Sequence, residues 1–126
     1  MALVPVMRCR DLRIAVAFYT GILDFTRVDG DDDPADCAVV TLARDGGQLT
    51  LSADDGIFGT VVVVTCSDVD ELSRSFRRRG LRTPGNPDAP QLVHEGPIDQ
   101  TWGTREFYVE DPDGNTLRFT QAAPAP

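Results

Sequence analysis

At 126 residues the chain is long enough for one domain whose core needs neither disulfide nor metal to fold. Its twelve basic residues are all arginine and face twenty Asp and Glu, a formal net charge of −8. That balance argues against nucleic acid and anionic membranes as partners and leaves a cationic partner or simple solubility. Cys9, Cys37 and Cys66 are odd in number, far apart and without a C-x-x-C, so they read as reduced thiols and not as a disulfide framework or zinc knuckle.

The apolar N-terminal run is short and Pro5 breaks it before Arg8, so neither a signal peptide nor a spanning helix is expected, and a cytoplasmic protein is. Asp11 can cap a first helix whose apolar stripe is Leu12, Ala15, Val16, Tyr19 and Leu23. Strands are predicted at 25–28, 37–42 and 48–52, with the acidic run Asp29, Asp31, Asp32, Asp33 between the first two. Such a run suits a cationic ligand and equally a solvated turn. A strand at 61–65 leads to Asp68, which with Glu71 forms a capping box for a second helix with stripe Val69, Leu72 and Phe76. Arg77, Arg78, Arg79 and then Gly80 close that helix, so the triple arginine reads as a helix end. Strands follow at 92–95, 106–110 and 116–120, the last two joined by Asp111-Pro112-Asp113-Gly114-Asn115, where Gly114 supplies the positive φ of a short hairpin. The tail reads as a frayed end.

An internal repeat organises these elements. Cys9-Arg10-Asp11-Leu12 recurs as Cys66-Ser67-Asp68-Val69, and Asp45-Gly46-Gly47-Gln48-Leu49 recurs as Asp113-Gly114-Asn115-Thr116-Leu117. The order is therefore β-α-β-β-β twice, with module one at about residues 1–55 and module two at about 58–121. Alternation buries Leu49, Leu51, Phe107, Val109, Leu117 and Phe119 under the helices. The opposite parity sends Ser52, Val61, Val63, Glu106, Tyr108 and Arg118 to a concave face where a ligand would sit.

Several chemistries can be weighed on the residues alone. Glu106 and Glu110, with Tyr108 between them, could serve as acid or base; an internal ion pair or cation–π stack with Arg118 accounts for the same residues structurally. His94 is the only histidine and sits beside Glu95 in a strand-like stretch, where neighbours point to opposite faces, so an edge or solvent position outweighs a role as ligand or base. No Ser-His-Asp or Cys-His set is present, and Gly46-Gly47 is too short for a phosphate loop. No catalytic residue is assigned.

RDLRIAVAFYTGILDF, SDVDELSRSFRRRGL and WGTREFYVEDPDGNTLRF, in that order, resemble the vicinal oxygen chelate superfamily, the glyoxalase, bleomycin-resistance and extradiol-dioxygenase group. The chain is most similar to its small, acidic bleomycin-resistance-type binding proteins. The resemblance implies an α+β fold of two βαβββ modules forming a curved mixed sheet around a cavity. Enzymes of the group hold a divalent metal on four inward strand positions; these fall here on Val4, Thr50, Val61 and Arg118, none a competent ligand, so neither metal nor cofactor is expected. The resemblance instead implies a homodimer that sequesters a cationic or planar antibiotic-like ligand in a groove at the subunit interface, with the N-terminal strand exchanged. Pro5 suits the hinge of that exchange and equally an edge-strand start. Trp102 matches a groove tryptophan of the family and could equally be a core or interface residue. The ligand-binding set expected on this basis is Trp102, Glu106, Tyr108, Asp31, Asp32, Asp33, Ser52 and Arg118. The alternatives are a metal-dependent lyase, isomerase or dioxygenase of the same superfamily, and a non-catalytic dimeric interaction module.

Overall fold

Asp11 and Asp68 open two ten-residue helices at equivalent points of the repeat. In the computed structural model, which describes residues 1–81 and 97–122, the Asp11 side chain accepts from Arg13 N at the start of α1 (Leu12–Gly21), and that of Asp68 accepts from Glu71 N at the start of α2 (Val69–Arg78). Each carboxylate thus satisfies a backbone donor that has no partner within the helix. Only the Asp68 half of the expected capping box is formed, because the Glu71 carboxylate turns along the helix to Arg74 and Arg78. Gly80, at φ 107°, ends α2 in a Schellman turn, with Leu81 N donating to Phe76 O and Gly80 N to Arg77 O.

The chain forms two compact units, Met1–Thr60 with Asp111–Asn115, and Val61–Glu110 with Thr116–Pro126. The first contains β1 (Val6–Arg8), α1, β2 (Thr26–Arg27), a 3-10 turn at Pro34–Asp36, β3 (Val39–Arg44) and β4 (Gly47–Ser52). Its four-stranded sheet has the order β1-β4-β3-β2, with β1 parallel to β4 and the remaining pairs antiparallel. The β3–β4 hairpin turns on Asp45 (φ 50°) and Gly46 (φ 82°), the Asp-Gly pair that a two-residue turn with both φ angles positive favours. The strand expected at 37–42 begins only at Val39, because Asp33 caps the 3-10 turn just before it.

The second unit repeats this plan with β5 (Val61–Thr65), α2, β6 (Ile98–Asp99), β7 (Thr104–Glu110) and β8 (Thr116–Ala122), in the order β5-β8-β7-β6. Again the first strand is parallel to the last and the others are antiparallel. The strand expected at 92–95, with His94, lies outside the described residues. The duplication extends to atoms: Cys9 N donates to Ser52 O in one unit and Cys66 N to Thr120 O in the other, each at 2.9 Å.

Each unit has its own core. Tyr19 packs edge-on against Phe18 and Phe25, with Met7, Leu42, Leu49 and Leu51 buried in the same unit. In the other, Phe107 and Phe119 are direct partners across β7 and β8 and stack at 5.0 Å between centroids, and Phe76 of α2 closes on both. Five residues of the α1 stripe were expected inside; Leu12, Ala15, Tyr19 and Leu23 are buried and Val16 is half-buried. In α2 it is Ser73, with Val69 and Phe76, that is buried, while Leu72 is half-buried.

The Asp111–Asn115 turn is held within the first unit by a buried polar cluster. Asp111 accepts from Tyr19 Oη at 2.8 Å, from Asn115 Nδ2 at 3.0 Å and from the backbone N–H groups of Asp113 and Asn115. Asn115 is fully buried, donates to Arg8 O and accepts from Thr60 N; Asp113 accepts from Arg10. Gly114 has φ 82°, as the turn requires. Burial beside Asp111 pushes the Tyr19 phenol far above its ordinary value, and burial raises the Cys9 thiol to about 11, so both stay protonated at neutral pH. Among the described residues no helix is long and apolar enough to cross a membrane.

Candidate functional site

Glu106 lies in the middle of β7, between Thr120 of β8 and Ile98 of β6. The pleat puts Thr104, Glu106 and Tyr108 on one face, and register sets Arg118 directly across from Tyr108. Arg118 reaches Glu106 diagonally as a fork, Nε to Oε2 at 2.9 Å and Nη2 to Oε1 at 2.8 Å. Thr104 Oγ1 donates to Oε1 at 2.9 Å, Tyr108 Oη to Oε2 at 3.2 Å, and Trp102 Nε1 reaches Oε1 at 3.5 Å. The Arg118 guanidinium carbon also sits 5.5 Å from the Trp102 ring centroid and 5.7 Å from that of Tyr108, within cation–π range of both.

The electrostatics follow from this geometry. The Arg118 fork, aided by Thr104 and Trp102, outweighs the cost of burial and holds the Glu106 carboxyl at about 2. Burial, against the opposing pull of Arg118, pushes the Tyr108 phenol up. A carboxylate this acidic, with its lone pairs taken by donors, is a poor proton acceptor, so acid–base chemistry finds little support at Glu106. The internal ion pair weighed from sequence is what the structure shows.

Four of the eight expected ligand-binding residues are brought together here: Trp102, Glu106, Tyr108 and Arg118. Glu106 is turned inward and buried, whereas Trp102 is 59% exposed. Thr104 was missed, although alternation with Glu106 and Tyr108 already placed it on that face. The other four belong to the first unit. Ser52 is fully buried, and its Oγ accepts from Asp54 N at 3.2 Å and Asp55 N at 2.8 Å, so the hydroxyl serves the turn after β4. Asp33 caps the 3-10 turn through Ala35 N, and the Asp32 carbonyl accepts from Arg27. The Asp31 and Asp32 side chains are exposed. Asp29, in the same run, is structural: burial works against its charge, but Arg27 and the Thr41 N–H outweigh it and hold the carboxyl below the usual range.

The positions at which a superfamily metal would be held do not fit one. Thr50 Oγ1 is hydrogen-bonded to Thr41 Oγ1 at 3.0 Å, Val4 and Val61 have no donor atom, and Arg118 carries a fixed positive charge committed to Glu106. Among the described residues no three His, Cys, Asp or Glu cluster in a way that could hold an ion. The first unit has a cavity of about 260 Å³ at the start of α1, lined in part by Arg10, Arg13, Pro34 and Cys37. Its arginines are paired, Arg10 with Asp113 and Arg13 with Asp11.

Comparison with known proteins agrees with this architecture. The family model described as the Glyoxalase/Bleomycin resistance protein/Dioxygenase superfamily matches residues 3–119. No curated protein sequence matches significantly. Among solved structures, a bleomycin-binding protein complexed with bleomycin is 24% identical, covers 96% of this chain and 98% of its own, and superposes with a TM-score of 0.76. The bleomycin resistance determinant encoded on transposon Tn5 gives 24%, 97%, 98% and 0.76. The bleomycin-binding protein of Streptomyces verticillus, complexed with copper(II)-bleomycin, gives 25%, 99%, 97% and 0.70.

Proposed function

The chain belongs to the glyoxalase/bleomycin resistance protein/dioxygenase superfamily, and from that premise we propose that it is a metal-free cytoplasmic binding protein that sequesters a cationic or planar, antibiotic-like small molecule. The groove is completed by a second copy of the chain, with the N-terminal strand exchanged about Pro5. The observation that carries this reading is Trp102, a residue 59% exposed although its N–H and one ring face are engaged by Glu106 and Arg118. A large rigid ring held in place at its polar edge and open on its surface is suited to stacking a planar ligand at little entropic cost. Exposed Val61 and Val63 on β5 and Ile98 on β6 supply further apolar surface on the same unit. The net charge of −8 and the exposed Asp31 and Asp32 favour the approach of a cation. Support also comes from the Streptomyces verticillus relative, whose structure contains bleomycin.

Trp102 is the only tryptophan, so intrinsic fluorescence reads the site alone. Titration with bleomycin-class glycopeptides and with planar cationic antibiotics is expected to quench it saturably, at one ligand per chain. Unchanged emission across the panel, from a protein that sediments as a dimer, would instead support an interaction module that binds no small molecule.

A further inference from the structure

The donors around Glu106 all point inward. An ionised carboxylate has about four lone-pair sites, and Arg118 Nε and Nη2, Thr104 Oγ1, Tyr108 Oη and Trp102 Nε1 converge on this one. The Glu106 side chain is 1% exposed, whereas that of Arg118 keeps 32%. A fork that engages Nε and Nη2 leaves Nη1, with two N–H groups, at the outer edge of the guanidinium. Trp102 and Tyr108 flank that guanidinium. A molecule arriving on this part of the surface therefore meets an indole and a cationic donor, with the carboxylate already committed behind them. The exposed member of the ion pair is the positive one.

We propose that Arg118 Nη1 is a ligand contact, and that the molecule stacked on Trp102 carries an sp² oxygen acceptor, a carboxylate or carboxamide, at the edge of its planar ring. The proposal rests on the Trp102 binding reading above and refines its ligand class. Any positive charge on the ligand lies away from this ring, since Glu106 has no site left to accept it.

Three probes with one ring system test this: 2-naphthoate, 2-naphthamide and 2-naphthylmethylammonium, each titrated against Trp102 fluorescence at about 0.15 M salt, where long-range charge is screened beyond about 8 Å. Long-range attraction by a chain of charge −8 favours the ammonium probe, so the opposite order reports the local contact. The carboxylate and the carboxamide are expected to bind about tenfold or more tightly than the ammonium, and naphthoate to shift the Arg118 side-chain N–H resonances in 15N-arginine-labelled protein. Trp102→Phe should weaken all three probes alike in the NMR titration and preserve their order. Equal affinities, or a preference for the ammonium, would overturn the acceptor assignment while saturable quenching left the stacking reading intact. Absence of quenching by all three, with unmoved Arg118 resonances, would overturn both.

Discussion

Arg118 and Glu106 form a two-point ion pair, at 2.9 Å and 2.8 Å, in which one partner is buried and the other is a third exposed. The two halves are therefore unequal under mutation. Arg118→Gln leaves a buried carboxylate without its counterion and is expected to cost about 3–5 kcal/mol, whereas Glu106→Gln leaves a guanidinium that can turn to water and is expected to cost about 2 kcal/mol. Urea denaturation of the two variants checks the order. Equal losses would mean that the carboxylate is more solvated than its geometry indicates.

The same pair sets an acid limb in the stability of the protein. The Glu106 carboxyl is held at about 2 in the folded chain, against an ordinary 4.5. A depressed folded value contributes stability that is fully present above about pH 4.5 and is lost progressively as the pH falls toward 2; linkage puts the amount at about 3 kcal/mol. Thermal melts of the wild type and of Glu106→Gln should converge over that window. Parallel curves down to pH 2.5 would remove Glu106 as the source.

Much of the fold is legible in the sequence because the repeat is carried by residues with local jobs. Asp11 and Asp68 cap helices, Asp45-Gly46 makes a two-residue turn, and Gly80 ends α2; each needs only its immediate neighbours. The site is legible in part for the same reason, since alternation along β7 and β8 puts Glu106, Tyr108 and Arg118 on one face. What alternation does not carry is which way a long side chain turns on that face. Glu106 and Arg118 both read as ligand contacts, and only the fork between them makes one buried and the other open. Ser52 reads as a site residue by parity, yet its hydroxyl is taken by Asp54 and Asp55, two and three residues further on. The buried state of the Asp111–Asn115 turn is invisible for another reason: its partners Arg8, Arg10 and Tyr19 lie some hundred positions earlier, and no local period encodes that distance.

That turn supports a ranked pair of mutations. Tyr19→Phe removes one hydroxyl from Asp111, which keeps Asn115 and two backbone donors, and about 1–2 kcal/mol should be lost. Asn115→Ala removes bonds to Arg8 O, Asp111 and Thr60 N at a site with no water access, and about 3 kcal/mol or more should be lost. Chemical denaturation with unchanged m-values would check both. A near-neutral Asn115→Ala would show that the turn is held by its backbone bonds.

Trp102 makes the converse prediction, function without stability. Trp102 is more than half exposed and the indole's hydrogen bond to Glu106, at 3.5 Å, is long. Trp102→Ala should therefore shift the unfolding midpoint by less than about 1 kcal/mol in stability while weakening any stacked ligand about tenfold. The comparison of melting temperature with ligand affinity, measured by calorimetry because the fluorophore is gone, separates the two effects. A large loss of stability would place the indole in a core or interface.

Divalent metals offer the last discrimination, because tight binding to the folded chain must appear as stability. At a hundredfold excess over its dissociation constant a resident ion adds about 2.7 kcal/mol, or about 10 °C in midpoint for a chain of this size. The positions that would bind it offer a threonine hydroxyl engaged by Thr41, two valines and a guanidinium bound to Glu106. Melts with millimolar Mn²⁺, Ni²⁺ or Zn²⁺ should therefore move by no more than about 1 °C. A stabilisation near the larger figure by any of the three, retained in Glu106→Gln, would require donors away from the Arg118 pair and would return the lyase, isomerase or dioxygenase reading.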